Sequence, residues 1–136
     1  MNSDRAGGLP GLPSHFHRER TTLLAAGVET WEQLADLQGD QLRKLASSGA
    51  ASEARLVRLR AQARLMGAAG LAPHEASLVL HAGLAEASAL AKADPQRLLV
   101  QLNRLTKRLL GPEAPAPTLA TVRGWIRAAG SSRSGN

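Results

Sequence analysis

Four histidines, His15, His17, His74 and His81, are the first residues of this 136-residue chain to test for chemistry. Imidazole can hold a metal or carry a proton near neutral pH. His15 and His17 stand two apart on a predicted helix and so do not share a face. His74 and His81 are seven apart and can share a side, but a metal site needs a further ligand. No Asp/Glu cluster joins either pair, and the absence of cysteine removes both thiolate ligands and disulfides. No Walker-type motif is present, and Glu19, Glu29, Glu32 and Glu53 read as helix-surface charges. The expectation is a protein that is not an enzyme and that carries no cofactor or metal.

The remaining chemistry is that of cations. The chain has 17 Lys plus Arg against 11 Asp plus Glu, a formal net charge of +6. Arg55, Arg58, Arg60 and Arg64 share one predicted helix, with Arg55 beside Arg58 and Arg60 paired with Arg64 at i,i+4. Arg97, Arg104, Lys107 and Arg108 occupy the polar side of a leucine-rich helix, and Arg123 and Arg127 are again four apart. Such residues can track phosphates or simply coat solvated helix faces. A positive balance admits nucleic acid, anionic lipid or an acidic protein as partner without choosing among them. The aromatic residues are only Phe16, Trp31 and Trp125. The tryptophans read as core or interface anchors rather than base platforms, which favours duplex-backbone contact over single-strand recognition.

The elements that must position these residues are helices. Ala, Leu, Arg, Gln and Glu dominate, while β-branched and aromatic residues are too scarce for a sheet. Pro13 or Ser14 starts the first helix, with Phe16, Leu23 and Leu24 as its buried stripe. Gly27 stops it and Val28 packs back over the turn. Thr30 then caps a helix through a capping box with Gln33, and Trp31, Leu34 and Leu37 form its apolar side. Gly39 opens a short helix carrying Leu42 and Leu45, and Ser52 caps another through about Met66. In the second half a helix over 72–82 ends at Gly83, followed by Leu84. Asp94-Pro95 starts a helix whose buried side is Leu98, Leu99, Leu102, Leu105 and Leu109. Thr118 caps a last helix with Val122, Trp125, Ile126 and Ala129. No apolar run approaches the roughly 18–20 residues of a membrane span, and "MNSDRAGG" lacks the pattern of a secretory signal, so a cytoplasmic protein is expected.

The two halves echo one another. Leu24, Gly27, Val28, Leu34 and Leu42 match Leu80, Gly83, Leu84, Leu90 and Leu98 at a single offset of 56 residues. Each of these positions is a helix end, a turn contact or a core contact, so the offset predicts an internal duplication. The predicted organisation is a flexible tail over 1–8, a first repeat over 9–66, a second over 67–129 and a flexible tail over 130–136. The second repeat includes a proline-rich linker over 111–117 and the terminal helix.

On these residues the chain resembles the DUF4332 family, tandem helix-hairpin-helix-like proteins common in cyanobacteria. The matching stretches are "LLAAGVETWEQLA", "GLAPHEASLVLHAGLAEASALAKADPQRLL" and "PTLATVRGWIRAA", in a resemblance that covers about Leu9 to Ala129. The last resembles the family's terminal helix with its Trp-Ile pair, here Trp125-Ile126. The resemblance implies an all-α fold: compact tandem helix-hairpin-helix repeats in one small domain, with a C-terminal helix after the proline-rich linker. In nucleic-acid-binding helix-hairpin-helix units a Gly-hydrophobic-Gly turn presents backbone amides to a phosphate, as any helix N-terminus can. Gly11-Leu12-Pro13 and Gly70-Leu71-Ala72 are the corresponding turns here, and both depart from the pattern. Pro13 has no N–H to donate, and Ala72 lacks glycine's freedom. The second turn is therefore the better phosphate candidate, with a purely structural turn as its alternative. Gly27, Val28, Gly83, Leu84, Trp31 and Trp125 are expected to be structural.

Two readings of function follow. One is a non-catalytic module contacting the nucleic-acid backbone without sequence preference. The other is a helical adaptor or assembly factor whose apolar and arginine-rich surfaces hold an acidic protein partner or a second copy of the chain.

Overall fold

A computed structural model describes residues 8–134, and the expected terminal tails at 1–7 and 135–136 lie outside the described residues. Among the described residues there are eight α-helices and no strand, so the fold is all-α. They are α1 (His17–Ala25), α2 (Trp31–Ala35), α3 (Gly39–Ala46), α4 (Glu53–Ala69), α5 (Pro73–His81), α6 (Ala87–Ala91), α7 (Pro95–Leu110) and α8 (Leu119–Ser134). A 3-10 turn over Ser14–Phe16 leads into α1. The chain forms two compact units, one ending at Ala63 and the other starting at Arg64, with the boundary inside α4.

Local hydrogen bonding explains why the first unit's helices start and stop where they do. At the end of α1 the Gly27 amide donates to Leu24 O (3.0 Å) and the Val28 amide to Leu23 O (2.9 Å). This paired closure leaves few orphan carbonyls and requires a left-handed residue between its two donors. Gly27 supplies it, at φ +86°. Val28 is buried over the turn. α2 begins with a reciprocal cap: the Gln33 amide donates to Thr30 Oγ1 (3.1 Å) while Gln33 Oε1 accepts from the Thr30 amide (3.1 Å). The N-terminal segment lies on these helices. The Leu9 amide donates to Glu29 O (3.0 Å), Trp31 Nε1 to Pro10 O (2.8 Å) and Arg20 Nε to Gly8 O (3.0 Å). Phe16, Leu23, Trp31, Leu34, Leu42, Leu56 and Leu59 are buried in this unit.

In the second unit the same bonds recur 56 residues later. The Gly83 amide donates to Leu80 O (2.9 Å) and the Leu84 amide to Val79 O (3.2 Å), with Gly83 at φ +93°. The helix bounds shift by the same offset: α5 and α6 begin and end 56 residues after α1 and α2, and α7 begins 56 after α3. Leu34 and Leu90 are both fully buried, as are Leu23 and Val79. Leu24, paired with Leu80 in the sequence, is only half-buried. α6 and α7 pack on α8, and α5 packs on α7. Val122, Trp125 and Ala129 form the buried face of α8.

After α3 the correspondence slips to 66. Ser52, Leu56, Leu59 and Ala63 correspond to Thr118, Val122, Trp125 and Ala129. Ser52 Oγ accepts from the Arg55 amide (3.3 Å) and Thr118 Oγ1 from the Thr121 amide (3.2 Å), so each caps its helix at the same position. The stretch from the start of the third helix to the cap of the fourth is ten residues longer in the second unit, and eight of the ten lengthen α7, which is 16 residues long where α3 is 8.

Three expectations need correction. Leu109 lies in register with Leu98, Leu102 and Leu105 yet is 46% exposed, because α7 continues past the core that covers its earlier turns. The tail expected from residue 130 is helical through Ser134. Gly8, placed in a flexible tail, is buried, with its carbonyl held by Arg20.

Candidate nucleic-acid interface

The Gly70 turn comes first, because it is the sequence's phosphate candidate. Gly70 (φ +69°) donates its amide to Met66 O (2.9 Å), and Leu71 donates to the same oxygen (3.2 Å). Both amides therefore close α4. The Ala72 amide donates to Glu75 Oε1 (2.8 Å), and Pro73, the next residue, has none to give. The three amides expected to face a phosphate are thus already engaged, and a carboxylate stands at the start of α5. In the first turn the Leu12 amide donates to Leu9 O (3.3 Å), and the exposed Gly11 follows the Pro10 carbonyl that holds Trp31. Leu71 is buried and Leu12 half-buried, as befits packing residues.

The basic residues separate into two groups. On α4, Arg55 Nε donates to Glu19 Oε1 (3.3 Å), its Nη2 donates to His15 O, and its guanidinium lies 4.7 Å from the Phe16 ring centroid. Arg60 Nη1 donates to Leu37 O (3.0 Å). Arg58 is half-buried and Arg64 exposed. On α7 the pattern is different. Arg97, Arg104, Lys107 and Arg108 are all exposed and recur at spacings that keep them on one side, opposite buried Leu98, Leu102 and Leu105. Arg97 lies 4.0 Å from its helix-capping neighbour Asp94. No carboxylate of the described residues lies within ion-pairing distance of Arg104, Lys107 or Arg108. On α8, Arg123 and Arg127 are exposed opposite the Val122–Trp125–Ala129 face.

The charge count reinforces this division. Seven of the 17 basic residues and one of the 11 acidic ones, Glu113, follow Asp94, leaving ten of each before Pro95. The whole formal excess of +6 therefore resides in the last 42 residues, where neither α7 nor α8 carries an acid.

The sequence reading missed Glu19. It was expected on the surface but is only 2% exposed. Its Oε2 accepts from the Ser52 amide (3.0 Å) and its Oε1 from Arg55, joining α1 to the start of α4. Burial pushes its carboxyl pKa up. The Ser52 amide, its own amide and the Arg55 guanidinium outweigh that and hold it below the ordinary glutamate value. The group is thus ionised at neutral pH, with both oxygens accepting. An open pocket of about 320 Å³ adjoins it, lined by His15, Arg18, Gly49, Ala50 and Ser52 among others. The only advance signal was an acid on the inner side of α1, four residues before fully buried Leu23.

Among the described residues no group of three His, Cys, Asp or Glu side chains is placed to hold a metal ion, and no helix is long and apolar enough to cross a membrane. Phe16, Trp31 and Trp125 are all buried, so no phenylalanine, tyrosine or tryptophan ring offers a stacking platform. No curated protein and no solved structure matches the chain. The model of a domain of unknown function, DUF4332, matches residues 13–132, and the chain belongs to that family.

Proposed function

We propose that the chain is a non-catalytic, cytoplasmic binding module that contacts the phosphate backbone of nucleic acid without reading sequence. One observation carries this reading: the net charge of the whole chain falls within residues 95–136, on helices without acids. Cations concentrated in this way release condensed counterions when they meet a polyanion, and that release drives association. The helix-hairpin-helix likeness of the sequence accords with the same ligand, although the contact rests on helix faces rather than on the hairpin turns.

Titration of DNA and RNA duplexes across a salt series tests the reading. If Arg97, Arg104, Lys107, Arg108, Arg123 and Arg127 all engage, log K falls against log salt with a slope of about −5, and unrelated sequences bind alike. Absence of binding to any duplex at low salt would end it.

A second reading, a helical adaptor for an acidic protein, is favoured by Val100, Leu109 and Leu110. They are 53, 46 and 58% exposed on the same helix as four cations. Exposed apolar side chains gain by burial against a protein surface, which a phosphate backbone does not offer them. A partner that stays bound at high salt would support it. A strictly monomeric protein with no partner in pull-downs would count against it.

A further inference from the structure

The two units differ most in the stretch between their third and fourth helices. In the first unit α3 ends at Ala46, and residues 47–51, which carry no charge, lead to the Ser52 cap. In the second unit the positions corresponding to α3 end at Leu102, and residues 103–117 lead to the Thr118 cap. This longer stretch holds Arg104, Lys107 and Arg108, with Glu113 its one acid. The added residues first prolong α7 by eight residues, to Leu110, and then form the proline-rich linker. Arg104, Lys107 and Arg108 therefore have no counterpart in the first unit. The exposed residues of α3 include Asp40 beside Arg43 and Lys44, a mixed face.

We infer that the added turns of α7 are the principal contact with nucleic acid, and that the ligand is a double-stranded helix gripped through its phosphates. This inference rests on the nucleic-acid reading above. Arg97, Arg104 and Arg108 span twelve residues, a rise of about 16 Å along a rigid helix. A straight row of charge suits a ligand whose phosphates are themselves held in fixed positions. A single strand is usually held by stacking on aromatic rings, and here every Phe and Trp ring is buried. On α4, Arg55 and Arg60 already donate to acceptors within the protein. The Gly70 amides close α4. DNA and RNA duplexes present the same phosphate chemistry, and both belong in the test.

Three full-length proteins should be compared: the natural chain, Arg104→Gln/Lys107→Gln/Arg108→Gln, and Arg18→Gln/Arg43→Gln/Lys44→Gln. Both triple variants remove three positive charges from exposed positions, so circular dichroism should match the natural chain. Each is titrated with a short DNA duplex, a short RNA duplex and single-stranded DNA of equal length over a range of NaCl. The α7 variant is expected to lose nearly three from the magnitude of the salt slope, about 0.9 per lost contact, while the first-unit variant keeps the natural slope within about one. Equal losses in the two variants would overturn the placement on α7 and leave the nucleic-acid reading standing. Single strands bound as tightly as duplexes would overturn the duplex assignment. Failure of the natural chain to bind any of the three would remove the underlying reading and this inference together.

Discussion

In the first unit Glu19 reaches from α1 to the start of α4, where it accepts from the Ser52 amide and Arg55. Its counterpart 56 residues later, Glu75, turns back to its own helix start and accepts from the Ala72 amide. Thr118 and Thr121 stand where Ser52 and Arg55 stand, and their hydroxyls lie 3.0 Å apart. The backbone closures at Gly27 and Gly83 are the same in both units, whereas this polar link is not. Helix ends and fully buried aliphatic residues therefore carry the shared architecture. The ion pair is particular to the first unit.

That comparison can be broken most forcefully at the shared core. Leu34→Ala and Leu90→Ala each delete a fully buried side chain at equivalent positions. Each should cost about 3 kcal/mol, measured by urea unfolding. A twofold difference between them would mean that the two units do not use these leucines alike.

A smaller and deliberately unequal effect is expected at the glutamates. Glu19→Ala leaves the Ser52 amide and the Arg55 guanidinium without their acceptor and should cost about 2 kcal/mol. Glu75→Ala, at a half-buried helix start, should cost less than about 1 kcal/mol. The Glu19 contribution also depends on pH. Its folded pKa is held below the ordinary glutamate value, so the stability it supplies is fully present above that ordinary value. It is lost as pH falls through the folded value. Glu19→Gln should therefore flatten the acid side of the stability–pH curve, and an unchanged curve would refute the assignment.

The smallest effect tests the turns. An added Cβ at Gly27 or Gly83 meets no atom within 4 Å, so only the left-handed backbone opposes substitution. Gly27→Ala and Gly83→Ala should each cost about 1–2 kcal/mol by thermal or urea unfolding. No loss at either position would show that the turn relaxes.

Much of this was legible in the chain itself. Thr30 with Gln33, Asp94 with Pro95, and the two stop glycines are short-range devices whose partners lie within a few residues, so residue type and spacing disclose them. Glu19 was not legible, because the groups that neutralise it stand 33 and 36 residues away. Leu109 misled for a different reason: periodicity shows which side of a helix is apolar, but not where the covering core ends. The Gly70 turn misled because a glycine at a helix junction serves the helix behind it as readily as a ligand ahead. Those amides were spent on Met66. The cations of α7 were legible as one face of a helix. Spacing alone did not show that Arg97 stands near Asp94 while Arg55 is tied to the buried Glu19.

The slip from a 56- to a 66-residue offset has a consequence for how such a protein can change. The added residues enter after the last position that α3 and α7 share, and the buried face of the following helix resumes in phase, with Leu56, Leu59 and Ala63 answered by Val122, Trp125 and Ala129. The extra length leaves those core positions in phase, although two of the three differ in residue type. Selection, or a designer, can therefore vary the outer turns of α7 in charge and reach while the helices beneath keep their register. Two units of matching helix order, one with a longer third helix, separate the residues that keep the chain folded from those that can acquire a partner.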